Sequence, residues 1–518
     1  MSRSDAIVVG AGHNGLIAAI LLAKAGWSVT VLEREDEPGG AIRTAEVTLP
    51  GFKHDLYATN LNLFMGSRFF AEHGDELAAH GFAVAGASKP FGSIFPDGFL
   101  GVSTDPAETL AAIEARSSDD ARSWQELGAW FGKTLPAMLA VLGSPLPSAT
   151  AAKALWSERR ILRSEWAELT RLVLQSPREF AEDHFSHPQV QALVSAWGMH
   201  LDFGPDIPGG AVFPLLETFA SAQNGIALGQ GGARTMIDAL AGMLRAAGGE
   251  LRTNAEVTAV SGKGVELADG TRLDASRAVI ANVTPTVLFQ RLVSQDALPA
   301  DFRRKVARYR FAPGTMMVHL ALDELPAWRA GEHVREWCYV HLGPYLEDMS
   351  LTYAQAVSGR LPERPTMVIG QPTAIDPSRA PEGKHILWVQ VRMVPAAVDW
   401  DEEKEPYAER VLDILSEYAP GLRDQILGRY VMSPPDLERN NPNLVGGDQL
   451  SGSHHPAQNF LLRPVPGWSR YRTPIDKLYM CGAGTWPGAG VGGGSGYLLG
   501  TELAKGWRRR ILRSATRM

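Results

Sequence analysis

A chain of 518 residues, 45% of them hydrophobic, exceeds the roughly 250–300 residues that one core organises, so two intertwined domains are expected and a small binding module is excluded. Charged residues make up 21% and the formal net charge is −7, which leaves no global basic field to gather nucleic acid or anionic lipid and points to a small-molecule partner. The two cysteines, Cys338 and Cys481, are too few and too far apart for a disulfide framework or a CxxC redox pair, as a reducing compartment would have it.

The first predicted strand, Ala6 to Val9, is a short apolar run bounded by glycine, the pattern of a buried parallel strand. It starts too early to leave space for a leader peptide. No uninterrupted apolar run approaches the roughly 18 residues of a spanning helix, so a cytoplasmic location is expected. Gly15 to Ala25 is alanine- and leucine-rich and predicts a helix stopped at Gly26, followed by a strand over Ser28 to Leu32. Between the first strand and the helix lies Gly10-Ala11-Gly12-His13-Asn14-Gly15. A GxGxxG alone is weak in a chain with 53 glycines, but strand, glycine loop, helix and a second strand ending on Glu33 follow in order. In this arrangement Gly10 permits a tight turn, Gly12 lets backbone approach a pyrophosphate, and Gly15 lets helix and strand pack closely. The helix start offers free N–H groups to phosphate, and Glu33 can accept hydrogen bonds from both ribose hydroxyls while repelling a 2′-phosphate. His13 and Asn14 read as loop residues acting through backbone.

Next comes Arg34-Glu35-Asp36-Glu37-Pro38-Gly39-Gly40-Ala41-Ile42-Arg43. This stretch resembles the second glycine motif of the glutathione-reductase-like flavoproteins, amine oxidases and carotenoid desaturases among them, where a Gly-Gly turn and a following arginine sit against the FAD diphosphate. The resemblance implies a cofactor role for Arg34, Gly39, Gly40, Ala41 and Arg43, beside Gly10, Gly12, Asn14, Gly15 and Glu33. An arginine there also has its own rationale, because its forked donors pair with phosphate oxygens.

From about 60 to 219 the sequence is helix-like, with amphipathic stretches over Ala107 to Ala115 and Ala151 to Leu174, and reads as a substrate cap. Gly229-Gln230-Gly231-Gly232 then precedes a helix through Ala246. Strands follow at Ala255 to Val260, Gly264 to Leu267 and Arg277 to Ala281, with Asp269-Gly270 as a hairpin turn. By the same resemblance Val257 faces the adenine through its backbone and Asn282 ends the strand that returns toward the flavin. Apolar or alternating runs at Met316 to Leu322 and Ile386 to Val394 predict a sheet flooring the cap. His54 and Asp55 match the stretch that passes close to the flavin in such proteins, and read equally well as a strand-turn fragment.

Leu478-Tyr479-Met480-Cys481 predicts a strand that runs into the glycine-rich segment from Gly482 to Gly496 and then a helix near Tyr497. The segment resembles the LYxxGAGTHPGAG ending of phytoene desaturases, carotenoid isomerases and related phytoene-dehydrogenase-like oxidoreductases. That resemblance implies non-covalent FAD, with Gly482, Gly484, Gly490 and Val491 closing over it. It departs at Trp486, where relatives often carry histidine, so any role of that histidine does not transfer; Trp486 could instead wall the isoalloxazine. His454 and His455 fall near the active side by resemblance and, with Trp486, complete the candidate catalytic residues.

His184 and His187 share i,i+3 spacing without a carboxylate or cysteine cluster, so no metal site is expected. No GxSxG, HExxH or P-loop occurs, which sets aside hydrolase, zincin and kinase chemistry. The basic C-terminal residues Lys505, Arg508, Arg509, Arg510 and Arg513 suggest either a solvated helix end or peripheral contact with an anionic membrane.

The expected fold is α/β: a glutathione-reductase-like Rossmann FAD domain (1–60, 225–290, 470–518) interleaved with a mixed-sheet and helical substrate domain (61–224, 291–469). The expected function is FAD-dependent dehydrogenation or isomerisation of an apolar substrate, polyenes included, by hydride transfer to the flavin N5, with oxygen or a quinone as electron acceptor. The alternatives are a flavin amine oxidase acting on a small amine and a non-catalytic lipid- or prenyl-protein-binding protein on the same fold, like the Rab escort and dissociation-inhibitor proteins.

Overall fold

The computed structural model describes residues 4–515. The opening segment folds as its pattern dictates: Ser4–Val9 is a strand, His13–Lys24 a helix, and Val29–Leu32 a second strand. Gly26 stops the helix with φ +85°, a conformation that other residues adopt only under strain. These strands pair in parallel, and the parallel sheet runs Leu478–Met480, Arg272–Ala281, Ser4–Val9, Val29–Leu32, Glu250–Arg252 in space. Three distant parts of the chain therefore build one sheet. The first helix is pressed between Arg234–Ala246 and Gly494–Ala515, which explains why it is apolar nearly all round.

The hairpin of Val257–Val260 and Gly264–Leu267 joins this sheet through Arg272–Ala281. That strand is ten residues long, twice the span expected from Arg277 to Ala281. Its first half pairs antiparallel with the hairpin (Gly264 opposite Asp274), and its second half is buried between two parallel strands. The polar first half hides its strand character, since its residues face solvent.

A second seven-stranded sheet runs Ile426–Met432, Gly314–Leu322, His385–Val394, Met367–Gly370, Tyr339–Leu342, Phe91–Phe95, Gly98–Val102. It is antiparallel except where Tyr339–Leu342 meets Phe91–Phe95. Strand alternation gives it two unlike faces. Met316, Val318, Leu320, Leu387, Val389 and Val391 form an aliphatic face packed with the helix Trp400–Tyr418. Register puts Met317, His319, Trp388, Gln390, Arg392, Tyr339, His341, Phe91 and Ser93 on the other, all buried beneath a helical layer.

That layer includes Ser118–Leu142, Pro188–Ser195 and Val212–Asn224. The apolar stretch expected as one helix from Ala151 to Leu174 is two, Ala149–Ser157 and Arg159–Leu174, turning at Glu158 so that both lie against Ser118–Leu142. Among the described residues no helix is long and apolar enough to cross a membrane.

Candidate flavin-binding site

The ends of the parallel strands open into a cleft of ≈ 390 Å³, within the ~300–1,000 Å³ range of small-molecule and cofactor sites. One wall is the loop after the first strand. A Cβ on Gly15 would sit 2.4 Å from the Gly10 carbonyl oxygen, so only glycine lets the helix come this close to the strand. Gly15 thus packs the loop from behind, while Gly10, Gly12, His13 and Asn14 line the cleft. The second glycine turn locks onto the first: the Gly39 N–H donates to the Ala11 carbonyl at 3.1 Å, and Gly12 and Gly39 form a parallel bridge.

Glu33 ends the second strand at the cleft edge. Its Oε2 accepts from the Ala11 N–H at 2.8 Å and its Oε1 from the Glu35 N–H at 3.1 Å. Burial raises its pKa above the usual carboxylate value, and backbone N–H groups of Ala11, Glu35 and Arg34 oppose that shift. Each oxygen keeps a further lone pair for a ligand hydroxyl. Arg34 lines the cleft while paired with Glu35. Arg43 is half-buried in the same wall; its carbonyl accepts from the Leu56 N–H at 2.8 Å, and its guanidinium has no hydrogen-bond or ion-pair partner among the described residues.

On the far wall Asn282 braces three glycine segments. Its Nδ2 donates to the carbonyls of Gly10 (3.2 Å) and Gly12 (3.4 Å), and its Oδ1 lies 2.7 Å from where a Cβ on Gly482 would be. Val257, Gly40, Ala41, Gly484, Gly490 and Val491 complete this part of the lining. The C-terminal loop is tied back to the N-terminus: the Gly496 N–H donates to Asn14 Oδ1 at 3.1 Å, and the Asn14 Nδ2 donates to His13 Nε2 at 2.9 Å. His13 is thereby held neutral, its pKa pushed down to about 4 by burial.

The three candidate catalytic residues do not line this cleft. Trp486 is fully buried, donates from Nε1 to the Ser144 carbonyl at 2.9 Å and packs on Phe460, which joins the C-terminal loop to the end of the long cap helix instead of walling a ligand. His454 Nε2 accepts from the Ala489 N–H at 2.9 Å, and burial holds the ring neutral. His455 Nε2 donates to the Asp202 carbonyl at 2.7 Å and lies 3.3 Å from the Tyr353 hydroxyl. All three clamp loops together. His54 and Asp55 are likewise interior: Asp55 accepts from buried Arg379 at 2.6 Å and from the Ala233 N–H at 2.8 Å, holding the Gly229–Gly232 turn. His184 ends one short helix and His187 caps the next. Among the described residues no group of three or more His, Cys, Asp or Glu could hold a metal.

The cleft also holds residues that were not among the expected site residues. Thr284, Tyr57, Asn440, Asn441, Asn443 and Gln449 line it, and Asn443 Oδ1 accepts from the Thr284 N–H at 2.8 Å. Buried Thr284 Oγ1 and Gln449 Nε2 have no hydrogen-bond partner in the protein. The run Asn440-Asn441-Pro442-Asn443 is the one hint that a turn here could present amides.

These features suit a flavin dinucleotide. Glycine backbone, a half-buried guanidinium and a carboxylate line one cleft, the set of groups that the diphosphate and ribose hydroxyls of such a cofactor would use. Residues 15–494 match the flavin-containing amine oxidoreductase family. The chain belongs to that family. It is 30% identical to the rat (Rattus norvegicus) pyridine nucleotide-disulfide oxidoreductase domain-containing protein 2, across 95% of this chain and 92% of that one. It is 27% identical to the neurosporene-forming phytoene desaturase of Rhodobacter capsulatus, across 95% and 93%. Among solved structures, putrescine oxidase bound to putrescine superposes with a TM-score of 0.61 at 17% identity, covering 98% of this chain and 99% of that one. An oxidoreductase from Methanosarcina mazei does so at 0.61 and 20%, covering 96% and 99%. These structural likenesses establish the fold, a flavin-type Rossmann domain interleaved with a mixed-sheet substrate domain. With the family, they make the chain a flavin-containing oxidoreductase.

Proposed function

We propose that the protein binds FAD non-covalently and dehydrogenates or isomerises a neutral, apolar substrate, polyenes included. When bound, the flavin supplies a two-electron acceptor. The chain's own residues hold the dinucleotide through Glu33, Arg43 and the glycine turns, orient the substrate and exclude water. Neither cysteine lines the cleft, which fits non-covalent binding.

The observation that carries the substrate class is the inner face of the seven-stranded sheet. Tyr57 and Leu444 line the cleft and also belong to the core packed on that face, and Gln390 on the sheet donates to cleft residue Gln449 at 2.6 Å. The face continues with Met317, Met432, Trp388, Tyr339 and Phe91; its polar members, His319, His341, Gln390 and Arg392, include no carboxylate to balance a protonated amine. The buried carboxyls of the helical layer, Glu217 and Asp202, are shifted by burial toward their neutral forms. Oxygen or a membrane quinone is the electron acceptor in this reading.

Anaerobic reduction of the flavin by a panel of polyenes, hydroxylated lipids and small amines tests it. Bleaching by an apolar compound is expected. Bleaching by a small amine alone would replace the reading with an amine oxidase, and a protein that stays colourless with added FAD yet binds lipidated partners would make it a non-catalytic carrier.

A further inference from the structure

The cap helix Arg159–Leu174 buries Leu172 but leaves Trp166, Val173 and Leu174 exposed, more apolar surface than a helix on one core needs in water. Leu172 is buried, and Glu165 turns inward to Lys133 and to Trp130 Nε1 (3.0 Å) on the helix Ser118–Leu142. Turned away from Leu172 are Trp166 and Val173, seven residues apart, and Leu174, with half-buried Leu162 one turn before Trp166; Trp166 is 67% and Leu174 66% exposed. The preceding helix, Ala149–Ser157, adds Trp156 at 64% exposure, and a groove between the two is lined by Leu155, Trp156, Leu162, Arg163 and Trp166. Two tryptophans this exposed are unusual in water, since an indole gains most where its ring meets an apolar phase and its N–H stays wet.

The charge on this surface runs against that of the whole chain. The two helices carry Lys153, Arg159, Arg160, Arg163 and Arg171 against Glu158, Glu165 and Glu168, a positive excess of two in a protein of net charge −7. Arg159, Arg160 and Arg163 have no carboxylate partner among the described residues, and Arg159 lies 5.1 Å over the Trp156 ring. Unpaired arginines beside exposed indoles and leucines match the boundary between anionic headgroups and acyl chains.

We infer that this helical hairpin is a membrane-docking surface, which seats Trp156, Trp166 and Leu174 at the acyl boundary of an anionic leaflet while Arg159, Arg160 and Arg163 meet its phosphates. The inference stands independently of the flavin chemistry. It assigns the contact to the cap, whereas the sequence pattern pointed to the basic end of the last helix; Arg508, Arg509, Arg510 and Arg513 lie outside the residues whose side chains are described.

Co-sedimentation of the full-length protein with vesicles of phosphatidylcholine, with and without phosphatidylglycerol, tests it. Retention on the phosphatidylglycerol vesicles is expected. The double variant Trp156→Ser/Trp166→Ser should weaken it about tenfold or more, because each indole offers ~150–250 Å² to the acyl boundary. Arg160→Gln/Arg163→Gln should weaken it by roughly fivefold per charge, the expectation for about 1 kcal/mol per basic residue near an anionic leaflet, and flatten its salt dependence. These side chains are exposed, so melting temperatures should match wild type and separate lost binding from lost folding. The inference is overturned if wild type ignores anionic vesicles, if the tryptophan variant binds as wild type does, or if binding disappears only on neutralising Arg508, Arg509 and Arg510. It is equally overturned if light scattering shows a dimer that the tryptophan variant dissolves, since the hairpin would then seat a second copy.

Discussion

Glu33→Ala tests the proposal that this carboxylate holds a ribose diol. In the folded protein the Glu33 carboxylate bridges two backbone N–H groups, Ala11 at 2.8 Å and Glu35 at 3.1 Å, and faces the cleft with its remaining lone pairs. Alanine removes the ligand acceptors and leaves both N–H groups without their partner. Hydrogen bonds to a charged group contribute about 1.5–3 kcal/mol, so FAD affinity should fall about 10- to 150-fold. Glu33→Gln keeps one carbonyl oxygen but turns a donor toward a backbone N–H, and should fall between. The assay is titration of flavin-stripped protein with FAD, read by flavin fluorescence quenching, with melting of the unliganded protein alongside. Affinity for Glu33→Ala within about twofold of wild type refutes the reasoning. A lower melting temperature at unchanged affinity would reduce Glu33 to a brace for the glycine loop.

Four further outcomes are expected. Gly15→Ala places a Cβ 2.4 Å from the Gly10 oxygen, so the variant should be destabilised by about 1–3 kcal/mol and purify with less flavin, measured by the ratio of flavin to protein absorbance. Arg379 is fully buried between Asp55 (2.6 Å) and Asp376 (3.2 Å) and donates to the Gly229 carbonyl; Arg379→Ala should lose about 3–5 kcal/mol in urea unfolding, and Arg379→Lys should not rescue it because an ammonium cannot span three acceptors. Burial raises the Glu217 carboxyl from 4.5 to about 7, so the folded state holds its proton more tightly than the unfolded state. Stability should therefore decline as pH rises from about 4.5 to 7, by about 3 kcal/mol, and Glu217→Gln should flatten that window; parallel curves for the two proteins would contradict it. Trp486→Phe keeps the packing on Phe460 but removes the bond to the Ser144 carbonyl, so turnover of whichever compound bleaches the flavin should persist while melting drops, and loss of turnover at full stability would return Trp486 to the site.

Legibility in the sequence followed locality. Gly10, Gly12, Glu33, Gly39, Gly40 and Arg43 lie within a short span, and their glycine-and-charge pattern is a direct image of backbone that must turn tightly beside an anion. All of them line the observed cleft. The strands Gly264–Leu267, Gly314–Leu322 and His385–Val394 announce themselves by apolar content, and their bounds fall at or within two residues of the expected ones. His454, His455 and Trp486 illustrate the opposite case. Nearness to a glycine motif along the chain does not say which way a side chain turns, and here each turns inward to a carbonyl or N–H of a neighbouring loop. Thr284 and Asn440 have no local signature at all, because their place in the cleft depends on where a returning loop lands.

By itself the sequence determined the parallel strand-helix-strand unit at the start of the chain, the carboxylate Glu33 that ends it, and the glycine segments at both ends of the chain. Each of these is written in contiguous residues whose backbone demands are local. Only the tertiary structure decided what lies between them: that residues 272–281 join an antiparallel hairpin to the parallel sheet, that the inner sheet face carries no carboxylate of its own, and that one cap helix keeps exposed apolar side chains in water. Those properties arise from pairing and packing between segments hundreds of residues apart, and no periodicity within one segment records its partner.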